Sequence, residues 1–375
     1  MTAFPRSDTS IVGRWWWTVD RWSLVALAVL VAFGVLLSLA ATPPVAERIG
    51  LEPFHFVRRQ LVLVPPALLI LVVVSMLDPR GIKRLSIVVF GVALLLVILT
   101  LATGAEIKGA RRWLALGGLS IQPSEFLKPA FAVLAAWLFA RQHRQDGFPG
   151  NVAAFGLCAA VLVPLLLQPD VGMAAVVAAV WFSQFFLAGL GLRWVGFFAM
   201  TGLGGLVAAY ATLPHVASRI DRFINPKSGD SYQIDTALDA FLNGGMWGRG
   251  PGEGTVKAIL PDAHSDFVFA VAGEELGLVA CLILVGIFAF IVLRGFSRLL
   301  DERDLFVLLA TAGLLVQFGL QALINMGSAL HLIPTKGMTL PFISYGGSSL
   351  IALSLAMGML MALTRRRVGH GEADS

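Results

Sequence analysis

An all-α polytopic membrane protein, with about ten transmembrane helices and both termini cytoplasmic, is the fold class this sequence predicts. Three observations carry that expectation. The chain is 57% hydrophobic and only 14% charged, with a mean hydropathy of +0.81, whereas a soluble domain carries about 25% charged residues. Ten apolar runs are long enough, or nearly so, to cross about 30 Å of hydrocarbon at about 1.5 Å per residue. Basic residues crowd both termini and the compact 79–84 loop, which supports an even number of crossings with both ends inside although the overall count of cations differs little between the sides.

The runs are 22–42, 60–78, 85–103, 125–142, 152–169, 171–190, 194–213, 266–293, 305–329 and 343–364. Residues 1–21 form a cytoplasmic N-terminal segment whose Trp15, Trp16 and Trp17, with Trp22, suit an interfacial anchor. The first run is too long for the core of a signal peptide and lacks a small-residue cleavage site, so it reads as a retained span. The fifth and sixth runs are short and meet at Gln168-Pro169-Asp170, a tight hairpin. Residues 22–364 form the membrane domain, with a large periplasmic loop at 215–265, and 365–375 form a cytoplasmic tail. Cys158 and Cys281 lie within spans and read as small packing residues.

On the cytoplasmic side stand Arg6, Arg14, Arg21, Arg80, Lys83, Arg84, Arg141, Arg144, Arg193, Arg294, Arg298, Arg303 and the Arg365-Arg366-Arg367 tail. The remaining cations cluster outside, at Arg58-Arg59, at Lys108, Arg111 and Arg112, and from Arg219 to Lys257. Snorkelling explains such residues singly. Three clusters on the side that the charge rule disfavours point to an anionic ligand there. Within the large loop, Ile234, Leu238 and Phe241 have helical spacing, which predicts a short amphipathic helix on the membrane surface. The following GMWGRGPGEGT lacks the Gly-Lys-Ser/Thr ending of a nucleotide loop and reads as a flexible hinge.

Three segments carry candidate chemistry, 260–277, 109–131 and 325–350. Asp266 follows Ser265 where a long apolar run begins. It is either a general base, for which reach and pKa must match the proton taken, or part of a helix start in which Ser265 caps and Asp266 complements the dipole. Glu274 falls about 80° round that helix from Asp266 and roughly 12 Å deeper, and Glu275 about 180° round. The two acids therefore do not share the face of Asp266; at least one pairs with a base from another span, with Glu274 the nearer to a cavity. Glu125 and Lys128 stand at i, i+3, either as a buried ion pair or as a pair lining a cavity with Lys128 facing an anion. Arg111 and Arg112 precede Trp113, a pattern suited to a phosphate at the interface. Lys336 lies in NMGSALHLIPTKGMTLPFISYGGSSL, 325–350, whose prolines and glycines interrupt membrane depth; such backbone is tolerated only where protein or a cavity shields it.

In AHSDFVFAVAGEELG and IPTKGMTLPFISYGGSS the chain closely resembles the SEDS family (shape, elongation, division and sporulation) of peptidoglycan polymerases, and within it the cell-division branch. The resemblance runs from about residue 20 to 367. Asp262, where division members more often carry Glu, and His331 depart from the pattern. The resemblance implies a membrane-embedded glycosyltransferase (GT-C-like) of ten spans that polymerises lipid II into glycan strands during septal cell-wall synthesis. It puts the essential aspartate on Asp266, as general base, with undecaprenyl pyrophosphate leaving under inversion. Arg111, Arg112 and Lys128 are candidates to meet that leaving group, and Glu125, Glu274 and Lys336 complete the substrate-binding candidates. A divalent cation, Mg or Mn, is associated with the family, although no ligand set is recognisable here. The expected partners are lipid II and the growing strand, a class B penicillin-binding protein (FtsI), other divisome proteins and membrane lipid. A lipid II flippase and a non-catalytic division scaffold are the rival readings.

Overall fold

The computed structural model describes residues 10–107, 110–116, 119–224 and 232–365. Arg6, Lys108, Arg366 and Arg367 lie outside the described residues. The described chain is a helical bundle of α1 (Ile11–Thr18), α2 (Arg21–Arg48), α3 (His55–Ser75), α4 (Pro79–Thr103), α5 (Pro123–Arg144), α6 (Gly150–Leu167) and α7 (Val171–Leu187). It continues through α8 (Leu192–Thr212), α9 (Pro214–Ile224), α10 (Tyr232–Gly244), α11 (Val268–Ser297), α12 (Leu305–Ala329) and α13 (Gly347–Leu363).

The helices α2–α8 and α11–α13 coincide with the ten apolar runs. Seven of them are long and apolar enough to cross a membrane, and α7 and α13 are apolar helices one residue shorter than that limit. The remaining one, α5, carries Glu125, Lys128 and a basic last turn. It is the central column, packed against α4, α6, α7, α12 and α13. Its partners shield it so completely that its apolar residues are buried all round rather than along one stripe. By contrast α8 buries none of its length and presents its apolar surface outward.

Polar contacts collect at two opposite ends of the bundle, as alternating crossings require. At the N-terminal face Asp20 accepts from Arg294 at 2.7 and 2.8 Å and Arg144 reaches Asp304 at 2.8 Å. There too Trp15 donates to Ser75 at 2.8 Å and Arg365 donates to the Met76 carbonyl at 3.2 Å. At the other face Arg48 donates to the Ala258 carbonyl, Arg112 to the Pro169 carbonyl at 2.7 Å, and the Tyr345 amide to the His264 carbonyl at 2.9 Å. The chain is a multi-pass membrane protein.

Four local expectations change. The fold is not wholly helical: the segment between α4 and α5 folds into an antiparallel sheet of β1 (Ala105–Ile107), β2 (Ala110–Leu116) and β3 (Leu119–Ile121), in that order. The helix α10 does not rest on the membrane surface. Its Ile234, Ala237 and Ala240 are buried, and Phe241 packs edge-on to Phe269 of α11 at 5.6 Å. The glycine-rich stretch after it is not a free hinge, because the amides of Arg249 and Gly250 donate to the carbonyls of Glu274 and Glu275 at 2.9 and 3.0 Å. Those carbonyls are available because α11 is not one continuous helix.

The break lies at Gly277, with φ 79° and ψ 179°. Only glycine reaches that backbone region without strain. The residues beyond the break, Leu278 and Val279, donate their amides to the carbonyls of Gly245 and Met246 at 2.9 and 3.2 Å. The loop thus completes the hydrogen bonds that the interrupted helix gives up, which irregular backbone at membrane depth needs. A Cβ on Gly277 would also overlap the backbone of Met246, Trp247 and Gly248. Gly277→Ala is therefore expected to cost about 2–3 kcal/mol, read as a lower melting temperature of the purified protein. An unchanged melting curve would show that the break is not required.

Candidate active site

Asp266 sits in a tight turn rather than in a helix. Asp262 has φ 52°, a left-handed conformation that Asp tolerates better than most residues. The chain then winds round its carbonyl, which accepts from the amides of Ser265, Asp266 and Phe267 at 3.1, 3.1 and 3.3 Å. Ser265 does not cap α11: the N-cap is Phe267 with no side-chain bond, and the Ser265 hydroxyl lies 3.4 Å from the Asp262 carbonyl. The capping explanation for the Ser265-Asp266 pair therefore does not apply.

The segment between α12 and α13 is a strap laid over this turn. Asn325, buried on α12, donates through one Nδ2 to the carbonyls of Asp266 and Met338 at 2.9 and 2.6 Å. The Ser344 hydroxyl donates to the Ser265 carbonyl at 2.5 Å and accepts from the Leu340 amide at 2.8 Å. Gly337 is the strap residue that faces the carboxylate. A Cβ there would stand 2.8 Å from Oδ2 of Asp266, so the carboxylate lies directly against the strap.

The residue before it, Lys336, turns to the hairpin between α6 and α7. Its ammonium donates to Asp170 at 2.6 Å, and its stem lies over Gly172, where a Cβ would overlap it. Arg112 completes the group, 3.5 Å from Asp170 and bonded to the Pro169 carbonyl at 2.7 Å. Burial opposes ionisation of Asp170, but the Lys336 and Arg112 cations outweigh it and hold the carboxyl below the ordinary carboxylate value. Its ionic contribution is thus complete above about pH 4 and is lost as pH falls through that depressed value. Burial lowers the Lys336 ammonium; Asp170 opposes the shift, while Arg112 and Arg219 add to it.

The outer cations separate into pairs with divided roles. Successive residues of a strand face opposite ways. Arg111 consequently pairs across the sheet with Glu106 at 3.6 Å, half exposed, while Arg112 points to Asp170. Likewise Arg58 is held by Glu52 at 2.8 Å on the surface. Arg59 lies beside Tyr345, whose phenol burial raises and Arg59 lowers, with burial prevailing. Tyr345, Phe56 and His264 form an aromatic cluster with ring centroids 5.1–5.5 Å apart.

Glu125 and Lys128 are a buried ion pair at 3.0 Å. The ammonium donates to Gln321 of α12 at 2.9 Å, and Gln321 donates to the Thr339 carbonyl at 3.1 Å. The pair therefore acts on the strap from beneath. Glu274 and Glu275 are corrected more strongly. Glu274, fully buried, accepts from the amides of Thr255, Val256 and Lys257 at 2.7, 2.7 and 2.8 Å and from Asn243 at 2.7 Å. Glu275 accepts from the amides of Gly252 and Gly254 and from the Lys257 ammonium. The base expected from another span is thus Lys257 of the adjoining loop. The glycine-rich loop does cradle an anion, and the anion is the chain's own carboxylate.

Residues 21–368 match the family described as Cell cycle protein, which spans FtsW, RodA and SpoVE. The chain belongs to this family. It is 44% identical over 368 residues to the probable peptidoglycan glycosyltransferase FtsW of Caulobacter vibrioides, covering 98% of this chain and 94% of that protein. The corresponding protein of Escherichia coli O157:H7 is 34% identical over 355 residues, covering 92% and 85%. Among solved structures, a chain of a peptidoglycan synthase complex, studied for how polymerization and crosslinking are coordinated, superposes with a TM-score of 0.75. It is 31% identical and the match covers 92% of this chain and 97% of that one. The rod shape determining protein RodA of Thermus thermophilus superposes with a TM-score of 0.67 at 29% identity, covering 93% and 97%.

In this FtsW/RodA/SpoVE chain two site residues escape a reading of the sequence. Asp170 was visible only as a polar hairpin corner, although a lone carboxylate between two apolar runs is itself a signal. Asn325, buried in the last turns of an apolar helix, carried no local pattern.

Proposed function

We propose that the chain is a peptidoglycan glycosyltransferase that polymerises lipid II, with Asp266 as general base. The observation that carries this reading is the strap: it sets the Asp266 carboxylate against Gly337, one residue from the Lys336, Asp170 and Arg112 group. A base and a cationic cluster then meet neighbouring residues of one strap, as attack on a sugar pyrophosphate needs. Asp266 takes the proton from the 4-hydroxyl of the acceptor sugar as that oxygen bonds to the donor's anomeric carbon. The anomeric C–O bond to pyrophosphate breaks with inversion, and its electron pair leaves on undecaprenyl pyrophosphate. Lys336 and Arg112 meet that charge, with Asp170 holding both in place. Among the described residues no three His, Cys, Asp or Glu side chains are grouped as a metal site, and no step is routed through a cation.

The names of the FtsW relatives support this activity, and the synthase-complex neighbour supports a crosslinking partner, a class B penicillin-binding protein such as FtsI, alongside other divisome proteins. The basic N-terminal face is then cytoplasmic and the site face periplasmic, in the inner membrane at the division septum.

Purified protein supplied with lipid II, alone and with the partner, tests the reading. Glycan strands are expected. Translocation of lipid II without any polymer would make the protein a flippase. Rescue of depleted cells by Asp266→Ala would make it a scaffold. The two arginines separate within the same assay. Arg112→Ala is expected to lower turnover about tenfold or more, and Arg111→Ala to stay within about twofold, since its half-exposed pair with Glu106 adds little. Equal losses would mean that the strand's alternation does not select between them.

A further inference from the structure

The N-terminal face, opposite the candidate active site, carries a half-open cavity of about 1870 Å³. Its lining is strongly cationic, and among the described residues its carboxylates are Asp20, Asp78 and Asp304. Each is already engaged. Asp20 takes Arg294 and also Arg298 at 3.1 Å, Asp304 takes Arg144 at 2.8 Å, and Asp78 accepts the Gly81 amide at 2.8 Å at the start of α4. Among the described residues Arg14, Arg80, Lys83 and Arg141 have no carboxylate within ion-pair distance.

Two of these cations converge on one ring. The Lys83 ammonium stands 5.3 Å from the Trp137 indole centroid and the Arg141 guanidinium 5.7 Å from the same centroid. Arg80 precedes Lys83 by three residues on α4, on the same side of the helix. Like charges gathered round one indole repel until an anion joins them. The surroundings say what kind of anion. Trp15, Trp17, Trp22 and Trp137 line the cavity, and indoles of this kind settle at headgroup level. Ile11 and Trp22, on the same lining, are 66% and 65% exposed, and Val25 continues that apolar surface one turn along α2.

We propose that this cavity seats the headgroup of an anionic phospholipid. Its phosphate lies among Arg80, Lys83 and Arg141, and its acyl chains run along the exposed Trp22–Val25 surface of α2. This lipid site is separate from the candidate active site and does not depend on the activity proposed for it.

The test is native mass spectrometry of the purified full-length chain titrated with phosphatidylglycerol or phosphatidylcholine. Wild type is expected to retain phosphatidylglycerol preferentially. The triple change Arg80→Gln, Lys83→Gln and Arg141→Gln is expected to weaken that binding about tenfold or more. A charge-matched control, Arg84→Gln with Arg193→Gln and Arg303→Gln, removes three cations that do not line the cavity, and it should bind as wild type does. Equal loss in both triple variants would reduce the effect to diffuse surface charge and overturn the site. Equal retention of phosphatidylcholine by wild type would overturn it without reference to any variant. Displacement of the lipid by inorganic phosphate at equal concentration would assign the cations to a free anion instead.

Discussion

Asp266→Ala is expected to reduce lipid II polymerisation by about a thousandfold, within the range that a positioned general base contributes. Asp266→Asn should fall as far, because the amide keeps the shape and loses the ability to take a proton. The local fold gives both variants a fair trial. The turn is held through main-chain groups: the Asp266 amide bonds to the Asp262 carbonyl and its carbonyl accepts from Asn325. These main-chain bonds are the same in both variants, and a melting curve recorded for each beside the assay separates loss of the base from loss of the fold. Strand length on a gel, from purified protein and lipid II, reads the outcome. Full polymerisation by either variant would remove Asp266 from the mechanism. Gly337→Ala supplies a complementary arm. Its Cβ would stand 2.8 Å from Oδ2, so the carboxylate must shift while remaining a base. A displacement approaching 1 Å costs up to about a hundredfold, and a loss of about tenfold is expected here.

Much of the architecture could be read from the chain because bilayer thickness fixes how long an apolar segment must be. The ten runs and the ten long helices differ mainly at their ends; α13, for instance, starts at Gly347 rather than 343 because Phe342 and the turn after it belong to the strap. What escaped is what depends on contacts between distant residues. Lys336 was visible as a charge in broken backbone, but its partner Asp170 lies 166 residues away. The Arg111-Arg112 pair looked like one anion site, because nothing local shows that a strand will send the two side chains to opposite faces. The sheet that does so is built from only 3, 7 and 3 residues, too short for alternation to stand out within apolar surroundings. The glycines of 245–254 looked like a hinge because glycine allows both mobility and close approach, and only the position of Glu274 and Glu275 decides between them.

Those two acids set the second large expectation: Glu274→Gln should lower stability without touching substrate affinity. Every oxygen contact of Glu274 is a donor from the loop or from Asn243. An amide NH2 in place of one oxygen would confront donors with a donor, and a buried unmatched donor costs about 1–3 kcal/mol. With the amide nitrogen at the Oε2 position, which meets only the Lys257 amide, two donors are left unmatched; the expected loss is about 4 kcal/mol and the apparent melting temperature falls by about 5–8 °C. Glu275→Gln adds a different cost, since it leaves the Lys257 ammonium buried without its counter-charge, worth about 3–5 kcal/mol. The discriminating measurement is KM for lipid II in the folded fraction. A carboxylate that bound substrate would raise KM on substitution and leave the melting curve alone. A carboxylate that holds the loop against the broken helix does the reverse, and the geometry of Glu274 requires the second result. The loop leads through Leu260 to Asp262 and so to the turn that carries Asp266. The two glutamates therefore reach the chemistry only by fixing where that turn begins.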